Sequence, residues 1–340
     1  MKRKNILLLS LLVILAVVAF FLIFNLGKSG TDYDFSFREF ALKDMSKLHK
    51  IMLYKRDGEK ISLTKNGEKW VVNGKYPASP NAISNILSPI ENVQIQYVPP
   101  DAAVENIMKS MMYNSIKVEL FDKDNNALKK YYVGESPDNS IGTYYVMDGS
   151  ASPLVMNLPG FNGNLRVRFN YTTDEWRDRT VLSLKPDDIT EVSMKYYFDK
   201  ANSFVLTRND KNFTIKPAFE DIKNLNIIAN TEYAKTYLLG FENKGCEYIA
   251  NSYENKDDIV SRPPIVAIGI KLINGKYKTL QVFMLPNLEE EVDNEKSGLD
   301  KYLNQSILRY IARDESGDLY LIQYEVFKDL FVTAKSFNGK

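Results

Sequence analysis

Of the 340 residues, one is cysteine and one is histidine. A single thiol cannot close an internal disulfide or build a cysteine-based zinc site. A single imidazole removes His-pair metal sites and argues against hydrolases that rely on a His base. Charge of one sign is missing too. The 44 Lys+Arg against 43 Asp+Glu leave a formal +1, no global field to draw nucleic acid. There is no phosphate-cradling glycine loop, no Gly-x-Ser-x-Gly elbow and no metal-spaced motif. What is present is apolar: 44% hydrophobic and 12% aromatic residues, enough for real cores. At about 150 residues per domain, the length predicts roughly two domains. The 21 Tyr and 18 Phe suit strand-rich cores, because aromatic rings pack well on pleated surfaces.

The one long apolar run comes first. Lys2, Arg3 and Lys4 precede Ile6 to Leu26, interrupted only by Ser10 and Asn25 as clearly polar residues. At 1.5 Å per residue that run spans about 31 Å, the thickness of a hydrocarbon core. The cationic flank predicts a cytoplasmic N-terminus and an exported remainder. A cleaved signal peptide is the competing reading, but its apolar region is usually about 7–15 residues and ends at a small-residue site. Here Ala16 to Ala19 run straight into Phe20-Phe21-Leu22-Ile23-Phe24. The expectation is an uncleaved signal anchor over 1–27, bounded by Ile6 and Leu26, with the N-terminus cytoplasmic and the bulk exported.

The remainder repeats. Lys47 to Leu53 and Asp188 to Met194 place apolar residues on the same alternate positions at an offset of 141. Ile61 to Val72 and Phe204 to Ile215 align at 143, matching Leu63/Leu206, Thr64/Thr207 and Asn66/Asn209, with Trp70 opposite Phe213. Each copy reads as strands with period-2 alternation. A helix follows in each: Ser79 as N-cap and Pro80 at the first helical position, with Ile83, Ile86, Leu87 and Ile90 on one face. In the second copy Phe219, Ile222, Leu225 and Ile228 likewise form one apolar face. Val104, Ile107, Met108 and Met111 predict a further helix from Asp101. Hairpins close both copies, with Asn274-Gly275 the strongest turn signal. The second hairpins align at about 165, which predicts an insertion near Asn287 to Asn304. The fold class is therefore α+β: a transmembrane helix and two homologous β-rich repeat domains, 28–170 and 171–340, with the boundary in the loop-rich stretch Pro159 to Glu175.

Few residues invite chemistry. Asp174-Glu175-Trp176-Arg177-Asp178-Arg179 lies at the junction of the copies, where Arg forks pair with carboxylates and Trp offers Arg a stacking face. Trp176, Arg177, Asp178 and Arg179 are the candidate inter-domain or partner contact. His49 aligns with Thr190 and reads as solvent-facing on its strand. Cys246, with no nearby His, reads as a small buried side chain. Glu289-Glu290-Glu291 reads as a solvated loop; a cation site there would need backbone help. Asn170-Tyr171-Thr172, Asn212-Phe213-Thr214 and Asn304-Gln305-Ser306 match the glycosylation pattern. No cofactor is indicated. An enzyme built from carboxylates distant in sequence is a third reading.

The anchor, the Leu63 to Trp70 hairpin, Tyr132-Val133-Gly134 before Tyr144-Tyr145-Val146, and Trp176-Arg177-Asp178-Arg179-Thr180-Val181-Leu182 together resemble the bacterial family called domain of unknown function 4340. Met111-Met112-Tyr113-Asn114-Ser115 departs from the Tyr-Gly-Leu turn frequent there. The resemblance implies an envelope protein, often beside ABC-type export or gliding-related components, and implies no catalytic residues. The expected role is a non-enzymatic, membrane-anchored accessory or scaffold protein that contacts the bilayer and binds another envelope protein such as an ABC-type transporter, and no nucleic acid. A binding module for a small ligand, peptide or glycan in the inter-domain cleft is the alternative.

Overall fold

The computed structural model describes residues 38–138, 141–210, 212–222, 227–285, 299–303 and 308–338. The expected anchor, Glu289 to Glu291 and most of the expected insertion lie outside the described residues. No helix among the described residues is long and apolar enough to cross a membrane.

The chain is β-rich α+β and forms two large sheets. The first is built from β1 (Lys50–Tyr54), β2 (Lys60–Asn66), β3 (Lys69–Val72), β4 (Tyr76–Pro77), β5 (Gln94–Tyr97), β6 (Ile116–Phe121), β7 (Ala127–Val133), β8 (Thr143–Met147) and β9 (Leu154–Asn157). Helices Pro80–Asn92 and Asp101–Asn114 flank β5. After β10 (Thr180–Leu182) come β11 (Ile189–Tyr196), β12 (Phe204–Asn209), β13 (Asn212–Pro217) and β14 (Ile227–Ala229). Helix Thr231–Leu239 follows, then β15 (Lys244–Gly245), β16 (Tyr248–Ile249) and helix Lys256–Ser261. The chain finishes its second sheet with β17 (Val266–Leu272), β18 (Tyr277–Phe283), β19 (Arg309–Asp314) and β20 (Leu319–Gln323).

The orders are β4-β3-β2-β1-β6-β7-β8-β9-β5 and β14-β13-β12-β11-β17-β18-β19-β20-β16, the same nine-stranded topology twice. Every neighbouring pair is antiparallel. Antiparallel strands can be joined by short hairpins, which is why alternation and turn residues alone exposed most of them. The β2–β3 turn and its counterpart between β12 and β13 need a left-handed residue. Gly67 supplies it in one copy (φ +62°) and Asp210 in the other (φ +51°), a residue type that tolerates that region.

Each sheet buries one face. Ile51, Leu53, Ile61, Leu63, Val118, Leu120, Tyr131 and Tyr145 pack with Ile83, Ile86 and Ile90 of helix Pro80–Asn92. Val192, Met194, Leu206, Ile268, Ile270 and Val282 pack with Ala234 and Leu238 of helix Thr231–Leu239 and with Phe327 and Phe337 near the C-terminus. The aromatic excess goes into these cores: Phe40 meets Tyr131 and Tyr145 edge-on, and Phe204, Tyr237 and Phe337 form a second cluster. Smaller clusters lie on the opposite faces, beneath helix Asp101–Asn114 (Ile107, Met111, Val146) and helix Lys256–Ser261 (Ile259, Phe283, Ile311).

One helix is displaced from its expected place. Of Phe219, Ile222, Leu225 and Ile228, Leu225 lies outside the described residues and none of the other three is helical: Ile228 lies on edge strand β14 and is 82% exposed, and the helix begins at Thr231. The pattern coincided with 3.6 periodicity, but Ile227-Ile228 is β-branched and pairs with Thr214 and Ile215. The N-cap is Asn230, whose side chain accepts from the Tyr233 backbone N–H at 3.0 Å. The first copy's helix begins as expected, Ser79 Oγ accepting from the Ala82 N–H at 3.3 Å.

Candidate functional site

The stretch after β9 folds back onto the first sheet. A short 3-10 turn, Leu165–Arg168, buries Leu165, and Phe169 follows it into the first core. Thr172 then starts a four-residue helix with a full capping box: its hydroxyl faces the Glu175 N–H, and the Glu175 carboxylate accepts from the Thr172 N–H at 2.7 Å. Glu59 accepts from both the N–H and the hydroxyl of Thr173 at 3.0 Å, tying the helix start to the β1–β2 hairpin. Trp176, at the helix end, is fully buried in the first core beside Tyr171. By Leu182 the chain is in the second core. The passage between cores is thus only a few residues long, and it contains Arg177, Asp178 and Arg179.

Arg177 is 6% exposed. Its backbone forms an antiparallel bridge with Ala78, extending the first sheet's edge; the Ser79 N–H donates to the Trp176 carbonyl at 2.8 Å, and the Asp178 N–H to the Pro77 carbonyl at 2.8 Å. Its side chain goes the other way. Nη2 donates to Asp318 Oδ2 at 2.5 Å and Nη1 to Asp318 Oδ1 at 3.4 Å, in the β19–β20 turn, while Nη1 also donates to Asp174 at 3.0 Å. The guanidinium lies 3.7 Å from the centroid of the Tyr76 ring. Asn251 completes the set, donating to Asp318 at 2.9 Å and accepting from the Leu319 N–H at 2.8 Å. Burial by itself would lower the pKa of Arg177; its hydrogen bonds and charge attraction to Asp318 and Asp174 outweigh this, and the net shift is upward. Burial would raise Asp318, but Arg177 and Asn251 hold its carboxyl below the usual value. Asp178 instead accepts from the Thr180 N–H and hydroxyl, and Arg179, more exposed, donates to the Glu247 carbonyl at 2.9 Å.

The four sequence candidates therefore do different things. Arg177 stacks on Tyr76 and not on Trp176, because the indole is committed to the core. Glu175 caps its own helix and leaves Asp174 to meet Arg177. Tyr76, Asn251 and Asp318 had no local signal: Asp318 is 141 residues away in sequence.

Two concavities flank the start of helix Pro80–Asn92, and both reach Asp178. One, of about 610 Å³, is lined by Trp70, Pro77, Ile83 and Leu87, with Glu68, Lys69 and Glu91 also on its walls. The other, of about 450 Å³, takes walls from both units: Asn81, Asn85 and Glu175 on one side, Thr180 and Gly245 on the other. Leu87, expected on the helix's core face, is half-buried: it packs against the first core and also lines the larger groove.

A family model, Domain of unknown function (DUF4340), matches residues 112–257. The matched stretch, a little under half of the chain, is similar to that family. The matched stretch runs from the end of helix Asp101–Asn114, through β6 to β9 and the Arg177 junction, into helix Lys256–Ser261. No curated protein and no solved structure matches.

Elsewhere in the chain, His49 and Thr190 are both half-buried at the start of β1 and of β11. Cys246 packs partly buried against the second core, its N–H donating to the Arg179 carbonyl at 2.9 Å, and burial pushes its thiol up to about 11. Asn170 and Asn212 are exposed, whereas Asn304 lies outside the described residues. Among the described residues no group of three or more His, Cys, Asp or Glu is placed to hold a metal ion.

Proposed function

We propose that this protein is a non-enzymatic accessory or scaffold protein of the bacterial envelope. It is held in the inner membrane by the Ile6 to Leu26 anchor and binds another envelope protein through the junction of its two units. The observation that carries this is the larger groove along helix Pro80–Asn92, which reaches the junction at Asp178. It places Trp70, Ile83, Leu87 and Pro77 next to charged Glu68, Lys69 and Glu91, the mixture of apolar anchors and polar groups that recognises a peptide segment. The Arg177–Asp318 contact favours the same reading, because a surface held at a fixed angle loses less freedom on binding. Association with an ABC-type exporter or gliding-related system follows from the family resemblance.

The test is photo-crosslinking in intact cells from positions Trp70 and Leu87, followed by mass spectrometry. Recovery of one envelope protein from these positions, and not from the far edge at Ile228, is the expected result. Equal recovery from both places, or no specific adduct, would discard the groove as a partner site. A reporter fused after position 340 checks the anchor's orientation, with extracytoplasmic activity expected.

A second reading, a small-ligand module, is favoured by the smaller concavity, since Glu175, Arg179, Thr180 and Gly245 bring polar groups from both units to one place. Saturation of that site by ligand would raise the melting temperature of the intact protein.

A further inference from the structure

The two sheets have the same topology but different outer faces. The registers fix the correspondence. In the first sheet Met52 pairs with Glu119 and Glu119 with Lys130; in the second, Ser193 pairs with Gly269 and Gly269 with Thr279. One row over, Tyr54, Lys117, Tyr132 and Val146 correspond to Lys195, Ala267, Gln281 and Arg313. All of these point away from the main core, by the alternation of the strands.

In the first sheet the face is closed by its own side chains. Glu119, 8% exposed, accepts from the Tyr54 hydroxyl at 3.2 Å and pairs with Lys117 at 2.9 Å and Lys130 at 3.8 Å. Tyr132 donates to Asp148 at 3.2 Å, and Val146 is buried with Met111 of helix Asp101–Asn114. In the second sheet the same positions carry the short residues Ser193, Ala267, Gly269 and Thr279, and the Tyr277 hydroxyl lies over Gly269 where the first sheet has Glu119. The covering helix, Lys256–Ser261, has 6 residues against 14 in the first copy. A trough of about 490 Å³ opens over β11, β17, β18 and β19.

Its charges are unequal in availability. Asp314 is consumed by its own turn, accepting from Ser316 and Asp318 N–H groups and from the Tyr320 hydroxyl. Glu315 accepts from the Thr279 N–H and pairs with Lys278 at 3.5 Å. The cations on the floor differ. Among the described residues no carboxylate lies within ion-pair distance of Arg313 or Lys195; Lys195 faces the Phe219 ring, 5.7 Å away. Tyr277 and Tyr197, 54% and 40% exposed, also line the trough.

We propose that this trough is a binding site for a sugar acid: a carboxylate held by Arg313, and a polyol body extending over Thr279 and Ser193 toward Lys195 at the opposite edge, with Gln281 and the tyrosines beside it. An Arg fork holds a carboxylate bidentately, and the volume falls within the range usual for small-ligand sites. Hydroxyl and amide side chains along the floor match hydroxyl groups better than acyl chains. The site is separate from the junction groove, so it stands or falls independently of the partner there.

The test is calorimetric titration of the full-length protein in detergent micelles with glucuronate, and in parallel with glucose, acetate and inorganic phosphate. Glucuronate should bind at least ten-fold more tightly than each of the other three. Arg313→Ala should weaken it at least ten-fold. Gly269→Glu, which installs the first sheet's plug and displaces the Tyr277 hydroxyl from the space that any Cβ there would occupy, should do the same. Glu119→Ala in the first sheet should leave binding unchanged, and melting curves check that each variant is folded. Glucuronate binding no stronger than acetate or phosphate, or unaltered by Arg313→Ala, would overturn the assignment.

Discussion

Arg177 and Asp318 join the two units at 2.5 Å, with the arginine backbone bridged to Ala78 of one unit and its fork closed on a turn of the other. The pair is largely desolvated, so its value differs from that of an exposed ion pair at about 0–1 kcal/mol. Removal of Arg177 leaves Asp318 without a cation, and removal of Asp318 leaves Arg177 with Asp174 alone.

Asp318→Asn or Arg177→Ala should therefore each destabilise the protein by about 3 kcal/mol, read from urea unfolding. The double variant Arg177→Met, Asp318→Leu should lose less than the sum of the singles, because no charge is left buried alone. Strict additivity would show that the contact is solvated in practice.

The same pair sets an acid limit. The folded carboxyl of Asp318 lies below the value near 3.8 usual for Asp. The charged form is therefore favoured by folding, and its contribution is complete above the unfolded pKa. It is lost as pH falls through the lower folded pKa. Stability measured from pH 6 down to pH 2 should drop more steeply in the native sequence than in Asp318→Asn; parallel curves would contradict the assignment.

Gly142 and Gly149 separate backbone strain from crowding. Both are left-handed, at φ +85° and +83°. A Cβ on Gly142 would meet the Met156 carbonyl oxygen and Val155 Cγ1 at 2.7 Å, whereas one on Gly149 meets nothing within 4 Å. Gly149→Ala should cost about 1–2 kcal/mol and Gly142→Ala about 2–4 kcal/mol, the excess coming from overpacking. Thermal melts of the two variants give the comparison directly.

Cys246 should be a poor nucleophile. With its thiol pushed up to about 11, the thiolate fraction at pH 8 is lower than that of a free cysteine by roughly a hundredfold. Iodoacetamide should label the native protein far more slowly than the urea-unfolded chain. Equal rates would mean that the segment around Gly245 opens readily.

Hairpins and alternation were legible because they are local: period-2 patterns and turn residues identify strand pairs such as β17–β18 without knowledge of anything distant. The copy-to-copy alignment extended that reading to the whole of both units, and it placed Trp176 to Arg179 at their junction. The second helix was misplaced because Phe219 to Ile228 satisfies a helical spacing that the edge strand β14 overrides; tertiary pairing won over periodicity.

By itself, then, the sequence determined the duplication, the strand-rich α+β class and the scarcity of reactive groups, all properties carried by neighbours within a dozen residues. Only the tertiary structure decided which charges meet. Arg177 finds Asp318 and Tyr76 rather than its neighbour Trp176, because the indole's apolar area is worth more in the core than beside a cation. It also decided that one sheet's outer face is filled by Glu119 and its partners, while the other has only the Tyr277 ring over Gly269 and a trough beside it. Such a difference depends on side chains from four strands lying side by side, and sheet register brings them together from positions far apart in the chain.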